Sequence, residues 1–197
     1  MGYYIRVLTP KPTPVSPVLL QKAAEAYGAT VVGDLGSSAW DQLVVANEAG
    51  EEVCAVECNV VSPGSLAAEE IEEFLAEIAD CLPSSGASWL RTYLATVRTI
   101  YAFQVLDGTY SENGWEILGS VQETVRSSVG GIVQADNEGF SNEEGDHILW
   151  QFSDGASGDW RMAVLKDGLW QRFKMDLGNE MHRLAFKNGE IPEGTER

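Results

Sequence analysis

The stretch from residue 42 to residue 61, QLVVANEAGEEVCAVECNVV, carries the clearest structural signal in the chain. Two apolar runs rich in β-branched residues, 42–46 and 52–61, flank a connection at 47–51 that contains a glycine. β-branched residues favour strands, and a short glycine-containing connection between two such runs favours a hairpin. The stretch therefore predicts two paired antiparallel strands.

The residues before this hairpin extend the pattern. Residues 3–8 and 30–32 are short apolar runs that predict strands. Between them, Ser16 and Pro17 place a helix-capping residue before a proline, and apolar residues then recur at helical spacing as far as Gly28. The first sixty residues therefore predict the order β-α-β-β-β.

Three helices are predicted after the hairpin. Residues 65–82 alternate apolar positions with glutamates at helical spacing, so the exposed face of this helix should be strongly acidic. Residues 87–106 are apolar with few charges, which predicts a mostly buried helix. Residues 115–129 fit helical spacing, although part of the segment also alternates like a strand, and the two glycines that follow, a common helix stop, favour a helix.

The C-terminal third predicts strands joined by glycine-containing turns. The expected strands are 132–140, 146–152, 160–165 and 169–177, and Asn188-Gly189 is expected to close a further hairpin. The predicted fold class is therefore α+β, with an N-terminal β-α-β-β-β unit, central helices and a C-terminal antiparallel β-meander packed on helix 87–106. We expect an N-terminal α+β subdomain over 1–62 and a helical-hairpin-plus-meander subdomain over 63–197, with a single domain as the alternative.

Charge is distributed unevenly along the chain. The sequence has 13 basic and 30 acidic residues, a net charge of −17. Residues 47–82 contain ten acidic residues and no basic one, and residues 111–159 contain ten acidic residues and one basic. This field disfavours direct binding to nucleic acid or to an anionic membrane surface and favours basic partners. The alternative interpretation is that the acidic residues only keep the protein soluble.

Composition also bounds the compartment and the chemistry. No apolar run approaches the roughly 18 residues of a membrane span, and the N-terminus lacks a secretory signal, so we expect a cytoplasmic protein. The three cysteines, Cys54, Cys58 and Cys81, are predicted to be reduced, with Cys54 and Cys58 buried in a strand. The nucleotide-binding, zinc and serine-hydrolase motifs are absent, which favours a protein without catalytic activity, cofactor or metal.

Two features could still carry chemistry. The acidic stretch 136–147 has enough oxygen ligands for calcium, but its spacing does not match an EF-hand loop, and an acidic hairpin tip explains it as well. His147 could act as an acid, a base or a ligand. If residues 142–145 form the turn, His147 lies opposite Phe140 across the hairpin, where ring packing is a sufficient explanation.

The leading functional hypothesis is a non-catalytic, acidic, cytosolic protein-binding module of the inhibitor or immunity type that engages a basic partner; a mimic of DNA is its specialised form. The candidate partner-binding residues come from the acidic helix, from the acidic stretch and from one face of the last predicted strand. They are Glu69, Glu70, Glu73, Glu77, Asp136, Glu138, Glu143, Glu144, Trp170 and Arg172.

Two other classes of function remain open at this point. One is a small-molecule-binding domain, or an enzyme without a recognisable motif, with a pocket between helix 87–106 and the meander. Its expected lining is Trp89, Tyr93, Tyr101, Trp150 or Trp160. The other is a homo-oligomeric structural protein that pairs through a sheet edge or a tryptophan face.

Overall fold

The computed structural model describes residues 2–196. In chain order the elements are β1 Tyr4–Thr9, α1 Pro17–Glu25, β2 Thr30–Val32, β3 Gln42–Ala46, β4 Glu52–Val60, α2 Leu66–Glu77, α3 Ser84–Leu94, β5 Thr99–Val105, a 3-10 turn Asp107–Tyr110, α4 Gly114–Val129, β6 Ile132–Ala135, β7 Gly139–Ser141, β8 Asp159–Lys166, β9 Leu169–Asp176 and α5 Glu180–Lys187. The chain combines helices with mostly antiparallel strands, and the predicted α+β class is confirmed.

The chain forms two compact units that are each discontinuous in sequence. The first contains the residues up to 68 together with 97–131, and the second contains 69–96 together with the residues from 132 onward. Helix α2 begins in the first unit and continues into the second. The subdomain boundary between residues 62 and 63 stays a prediction.

The first unit is built on five antiparallel strands in the order β2-β3-β4-β5-β1. The predicted hairpin of β3 and β4 is confirmed, with Val45 opposite Cys54 and an irregular register next to Ala46. Helix α1 buries Leu20 and Ala24, whereas Val18 and Leu19 are exposed. The helix predicted from the apolar recurrence is therefore present, with Leu20 and Ala24 on its buried face.

The expectation of one helix over residues 87–106 is wrong. Helix α3 ends at Leu94, and the chain then enters β5, which lies between β4 and β1 in the sheet. Six of the seven residues of β5 are buried. A strand that is buried on both faces has a nearly continuous apolar sequence, which periodicity alone cannot distinguish from a buried helix.

Helix α4 is confirmed and buries one apolar stripe, formed by Ile117, Leu118, Val121 and Val125. It ends where Gly130 adopts a φ of 67°, a left-handed conformation that favours glycine. Helix α2 is shorter than the predicted 65–82 and ends at Glu77.

In the second unit the predicted strand 132–140 is instead a hairpin. Strands β6 and β7 pair antiparallel, with Ala135 opposite Gly139. The chain reverses through Asn137 and Gly139, whose φ values of 63° and 93° lie in the left-handed region. Residues 146–152 were predicted as a strand, but this segment makes only isolated bridges, in which His147 pairs with Ser141 and with Met162.

The β8–β9 hairpin is confirmed and carries the core of the second unit. Phe173 and Met175 of β9 are buried, and they pack with Phe152, Met162, Val164, Leu177 and Phe186. Phe186 belongs to α5, which the sequence analysis did not predict. Asn188-Gly189 does not close a hairpin, because Asn188 is the C-cap of this helix.

None of the helices within residues 2–196 combines the length and the hydropathy that crossing a bilayer requires.

Candidate functional site

The acidic face of α2 consists of Glu69, Glu72, Glu73 and Glu77. All four side chains are exposed, while Ile71 and Phe74 are buried on the other side of the helix. Phe74 contacts Phe140 edge to face at a ring-centroid distance of 5.3 Å. This contact anchors α2 to the β6–β7 hairpin and leaves its glutamates facing solvent. Glu70, also predicted as a partner-binding residue, is only partly exposed.

The acidic stretch 136–146 divides into two turns. Asp136 and Glu138 lie in the β6–β7 turn and are partly buried, whereas Glu143 and Glu144 lie in the next turn and are exposed. Asn142 closes that second turn, because its Oδ1 accepts hydrogen bonds from the backbone N–H groups of Glu144 at 3.1 Å and of residue 146 at 2.9 Å. The candidate acidic residues of this stretch therefore do not share one turn.

Asp146 lies at the end of this stretch and is not available to a partner. Its side chain is only 1% exposed. Oδ1 accepts from Arg161 Nε at 3.0 Å and from Arg161 Nη2 at 2.9 Å, and Oδ2 accepts from Arg172 Nε at 2.6 Å. A buried carboxylate is stabilised by charge-assisted hydrogen bonds of this kind. One carboxylate thereby orients two guanidinium groups.

The arginines surround a cavity of about 270 Å³ in the second unit. Asp146, Arg161, Arg172, Phe173, Lys174 and Glu196 line it. Arg172 was predicted from sequence as a binding residue, with Lys174 on the same strand face, whereas Arg161 was not. The hydrogen bond and the charge of Asp146 raise the pKa of Arg172, so this guanidinium stays protonated.

In β9 the exposed–buried alternation predicted from sequence holds from residue 172 to residue 175, but Leu169 and Gln171 are exposed as well. Arg172 and Lys174 are exposed, while Phe173 and Met175 are buried. Trp170 is partly buried and contacts Trp89 edge to face at a centroid distance of 5.1 Å. The tryptophan therefore packs on α3, and Arg172 pairs with Asp146.

The expected lining of a pocket between helix 87–106 and the meander is not gathered as predicted. Tyr101 lies in β5 and is fully buried in the first unit, where its hydroxyl accepts a hydrogen bond from the N–H of Val15 at 2.9 Å. Trp89 stacks on Tyr93 in the second unit. Trp150 and Trp160 also belong to the second unit and pack against its apolar core.

His147 is a packing residue in this structure. Its ring contacts those of Trp160 and Phe152 at 4.7 and 5.1 Å. It pairs with Ser141 rather than with the predicted Phe140, and Nδ1 lies 3.3 Å from Ser141 Oγ. Burial lowers the pKa of His147 to about 4, against the opposing charge of Asp146. An imidazole with so low a pKa is a poor general base at neutral pH.

The cysteines are free thiols, as predicted. Cys54 and Cys58 are buried, and desolvation raises their pKa values to about 12 and about 11. Because the thiolate is the reactive form, these two residues are inert at neutral pH. Across residues 2–196, no group of three or more His, Cys, Asp or Glu side chains could hold a metal ion.

A second acidic surface, at one end of the first unit, was missed from the sequence. Glu48, Glu51 and Glu112 line a cavity of about 500 Å³, and Glu51, Glu52 and Asp107 line another of about 420 Å³. The segments that contribute these residues are far apart in sequence, and the pairing of β4 with β5 brings them together. Only the strand order could have revealed this surface.

The chain was also compared with known proteins, and no family model, curated protein or solved structure matches it.

Proposed function

We propose that this chain is a non-catalytic protein-binding module that engages a basic protein partner through the acidic face of α2. The observation that supports the proposal is the exposure of Glu69, Glu72, Glu73 and Glu77 on one helix whose apolar residues are buried. No basic residue occurs between positions 47 and 82, so no cation from this part of the chain neutralises the glutamates.

Charge complementarity gives such a surface both speed and selectivity. Two opposite unit charges about 4 Å apart near a protein surface attract each other by roughly 4 kcal/mol before desolvation is counted. The summed field raises the association rate of a basic partner and repels polyanions. A partner rich in lysine and arginine therefore fits this face, and an inhibitor or immunity-type role is consistent with it.

The α2 face is preferred over the other candidate residues because of where the structure places them. Asp136 and Glu138 are partly buried, and Trp170 packs on Trp89. Arg172 carries a charge of the wrong sign for a basic partner and is bonded to Asp146. Glu143 and Glu144 are exposed and can extend the surface, but they lie on a separate turn.

The experiment is affinity capture of the tagged chain's partner, followed by direct binding measurements with charge-reversed variants. The test variant is Glu69→Lys/Glu73→Lys/Glu77→Lys. The matched control is Glu48→Lys/Glu51→Lys/Glu112→Lys, which changes the net charge equally at the acidic end of the first unit. Capture at about 50 mM and about 500 mM salt compares screening lengths above 10 Å and below 5 Å.

The proposal predicts a basic protein that is recovered mainly at low salt, binds the control variant nearly as well as the original chain, and loses binding to the α2 variant. Equal losses in the two variants would mean that net charge, and not the α2 face, drives the association. Binding that ignores both salt and the α2 substitutions contradicts the proposal.

A further inference from the structure

Three cations share one face of the β8–β9 hairpin. Arg161 of β8 lies directly opposite Lys174 of β9 in the register. Arg172 precedes Lys174 by two residues in β9 and therefore lies on the same face of the hairpin. Like charges placed directly across two strands destabilise a sheet.

Two carboxylates offset this repulsion: Asp146 pairs with both arginines, and Asp159 Oδ2 lies 3.0 Å from Lys174 Nζ. Asp146 bonds Nε and Nη2 of Arg161 and Nε of Arg172. Among the described residues, Nη1 of Arg161 has no partner, and neither do the two Nη atoms of Arg172. The guanidinium groups are therefore held in place by a buried carboxylate while several of their N–H donors stay available. The side chains are 62% and 50% exposed, so these donors can reach a ligand.

The charge and size of the cavity define what it can take. Its lining has three cations, Arg161, Arg172 and Lys174, against the carboxylates of Asp146 and Glu196. Lys174 is also paired with Asp159, so the free N–H donors of the two guanidinium groups are the part of the site that can bind an anion. Planar guanidinium forks match the oxygens of carboxylates and phosphates. A cavity of about 270 Å³ is below the roughly 300–1,000 Å³ range of pockets for drug-sized ligands. We infer that this cavity is a binding site for a small oxyanion, with a phosphate group as the ligand chemistry.

Glu196 provides an internal competitor for that ligand. The backbone N–H of Lys174 donates to the carbonyl oxygen of Glu196 at 3.0 Å, so this residue is held beside the cavity, where it also lines the wall. Its carboxylate repels an incoming anion. Removing the charge of Glu196 is therefore expected to strengthen anion binding. Replacing the guanidinium group of Arg172 is expected to weaken anion binding.

The test is calorimetric titration of the full chain with inorganic phosphate, at an ionic strength held constant with chloride. A second titration with glycerol phosphate distinguishes free phosphate from a phosphomonoester. We expect saturable phosphate binding, a loss of about tenfold or more in Arg172→Lys because charge-assisted hydrogen bonds are lost, and a severalfold gain in Glu196→Gln. Arg91→Gln, an exposed residue of α3, is the matched control and should not change binding.

Arg172→Lys keeps a cation beside Asp146, so the buried carboxylate is not stranded. If circular dichroism shows that this variant does not fold, Lys174→Gln decides, since it leaves the contacts of Asp146 intact and must still weaken binding. No saturable effect beyond that of chloride overturns the inference, and so does binding that none of these cavity substitutions changes. The outcome is independent of the α2 face, which takes no part in the titration.

Discussion

At the level of single residues, Asp146 is the charged group whose removal should cost the most. Asp146→Asn removes the charge that bonds two arginines, and the expected loss is about 2 kcal/mol in the free energy of unfolding, because hydrogen bonds to charged groups contribute roughly that much. Urea denaturation measures the change. Asp154→Asn is the matched control, since Asp154 is exposed and accepts a hydrogen bond from Arg183 through its backbone oxygen. Equal losses in the two variants would contradict the role of Asp146.

His147 should make stability depend on pH. Its folded pKa, about 4, is below the ordinary value of 6.5. The folded state therefore binds fewer protons than the unfolded state between these two values, and the stabilisation present above pH 6.5 is lost as the pH falls towards 4. The slope reaches at most about 1.4 kcal/mol per pH unit.

Unfolding free energies of the original chain and of His147→Gln between pH 7 and pH 5 test this expectation. The difference between the original chain and His147→Gln should shrink as the pH falls. A constant difference across the range would contradict the linkage to His147.

The residues of the Asp146 cluster could not have been predicted together. Arg161 and Arg172 are 15 and 26 residues from Asp146 in the chain. Their convergence depends on the register of β8 with β9 and on the irregular path of residues 146–152. The sequence showed the alternation of β9, because alternation is local. It did not show which side chain would face Arg172.

At the level of elements, the sequence predicted best where the pattern was local. The β3–β4 hairpin and α4 were found because alternation, helical spacing and glycine stops are visible within a few residues. β5 was mistaken for part of a helix because burial on both faces removes the alternation. Helix α5 was missed because Asn188-Gly189 resembles a hairpin turn. The N-cap of this helix is Asn179, whose Oδ1 accepts hydrogen bonds from the N–H groups of Met181 and His182.

Two helical glycines should respond to alanine with opposite signs. A Cβ at Gly86 in α3 would lie 2.5 Å from the carbonyl oxygen of Ile148, whereas a Cβ at Gly119 in α4 would meet nothing within 4 Å. Alanine in a helix interior normally stabilises by about 0.5–1 kcal/mol relative to glycine. Gly119→Ala should therefore stabilise the protein. Gly86→Ala should destabilise it, since a backbone atom cannot move away as cheaply as a side chain.

Thermal and urea unfolding of these two variants, each compared with the original chain, measure the signs. Both substitutions add the same methyl group to a helix and so change helix propensity in the same direction. The difference between their unfolding free energies therefore reports the contact between residue 86 and Ile148. Stabilisation in both variants would show that α3 does not pack against residue 148 this closely.

At the level of the whole molecule, the net charge of −17 limits the function more than the fold does. An antiparallel α+β architecture supports many activities, so function has to be argued from sites. The acidic face of α2 was predictable because a charge pattern on one helix is local. The acidic end of the first unit was not, because strand order joins its segments.

Crowded negative charge should make the stability of the molecule depend on salt. The screening length falls from about 30 Å at 0.01 M to about 8 Å at 0.15 M salt. Added salt should therefore weaken the repulsion among Glu48, Glu51 and Glu112 and raise the free energy of unfolding.

At low salt, Glu48→Gln should stabilise the protein by about 0.5 kcal/mol, and this gain should disappear at 0.5 M salt, which shortens screening further. Glu123→Gln is the control: it also removes an acidic charge, but it breaks the 2.7 Å ion pair with Arg126 and should destabilise slightly. Stabilisation by both variants would show that global charge dominates, and stabilisation by neither would show that the acidic end of the first unit carries no repulsive strain.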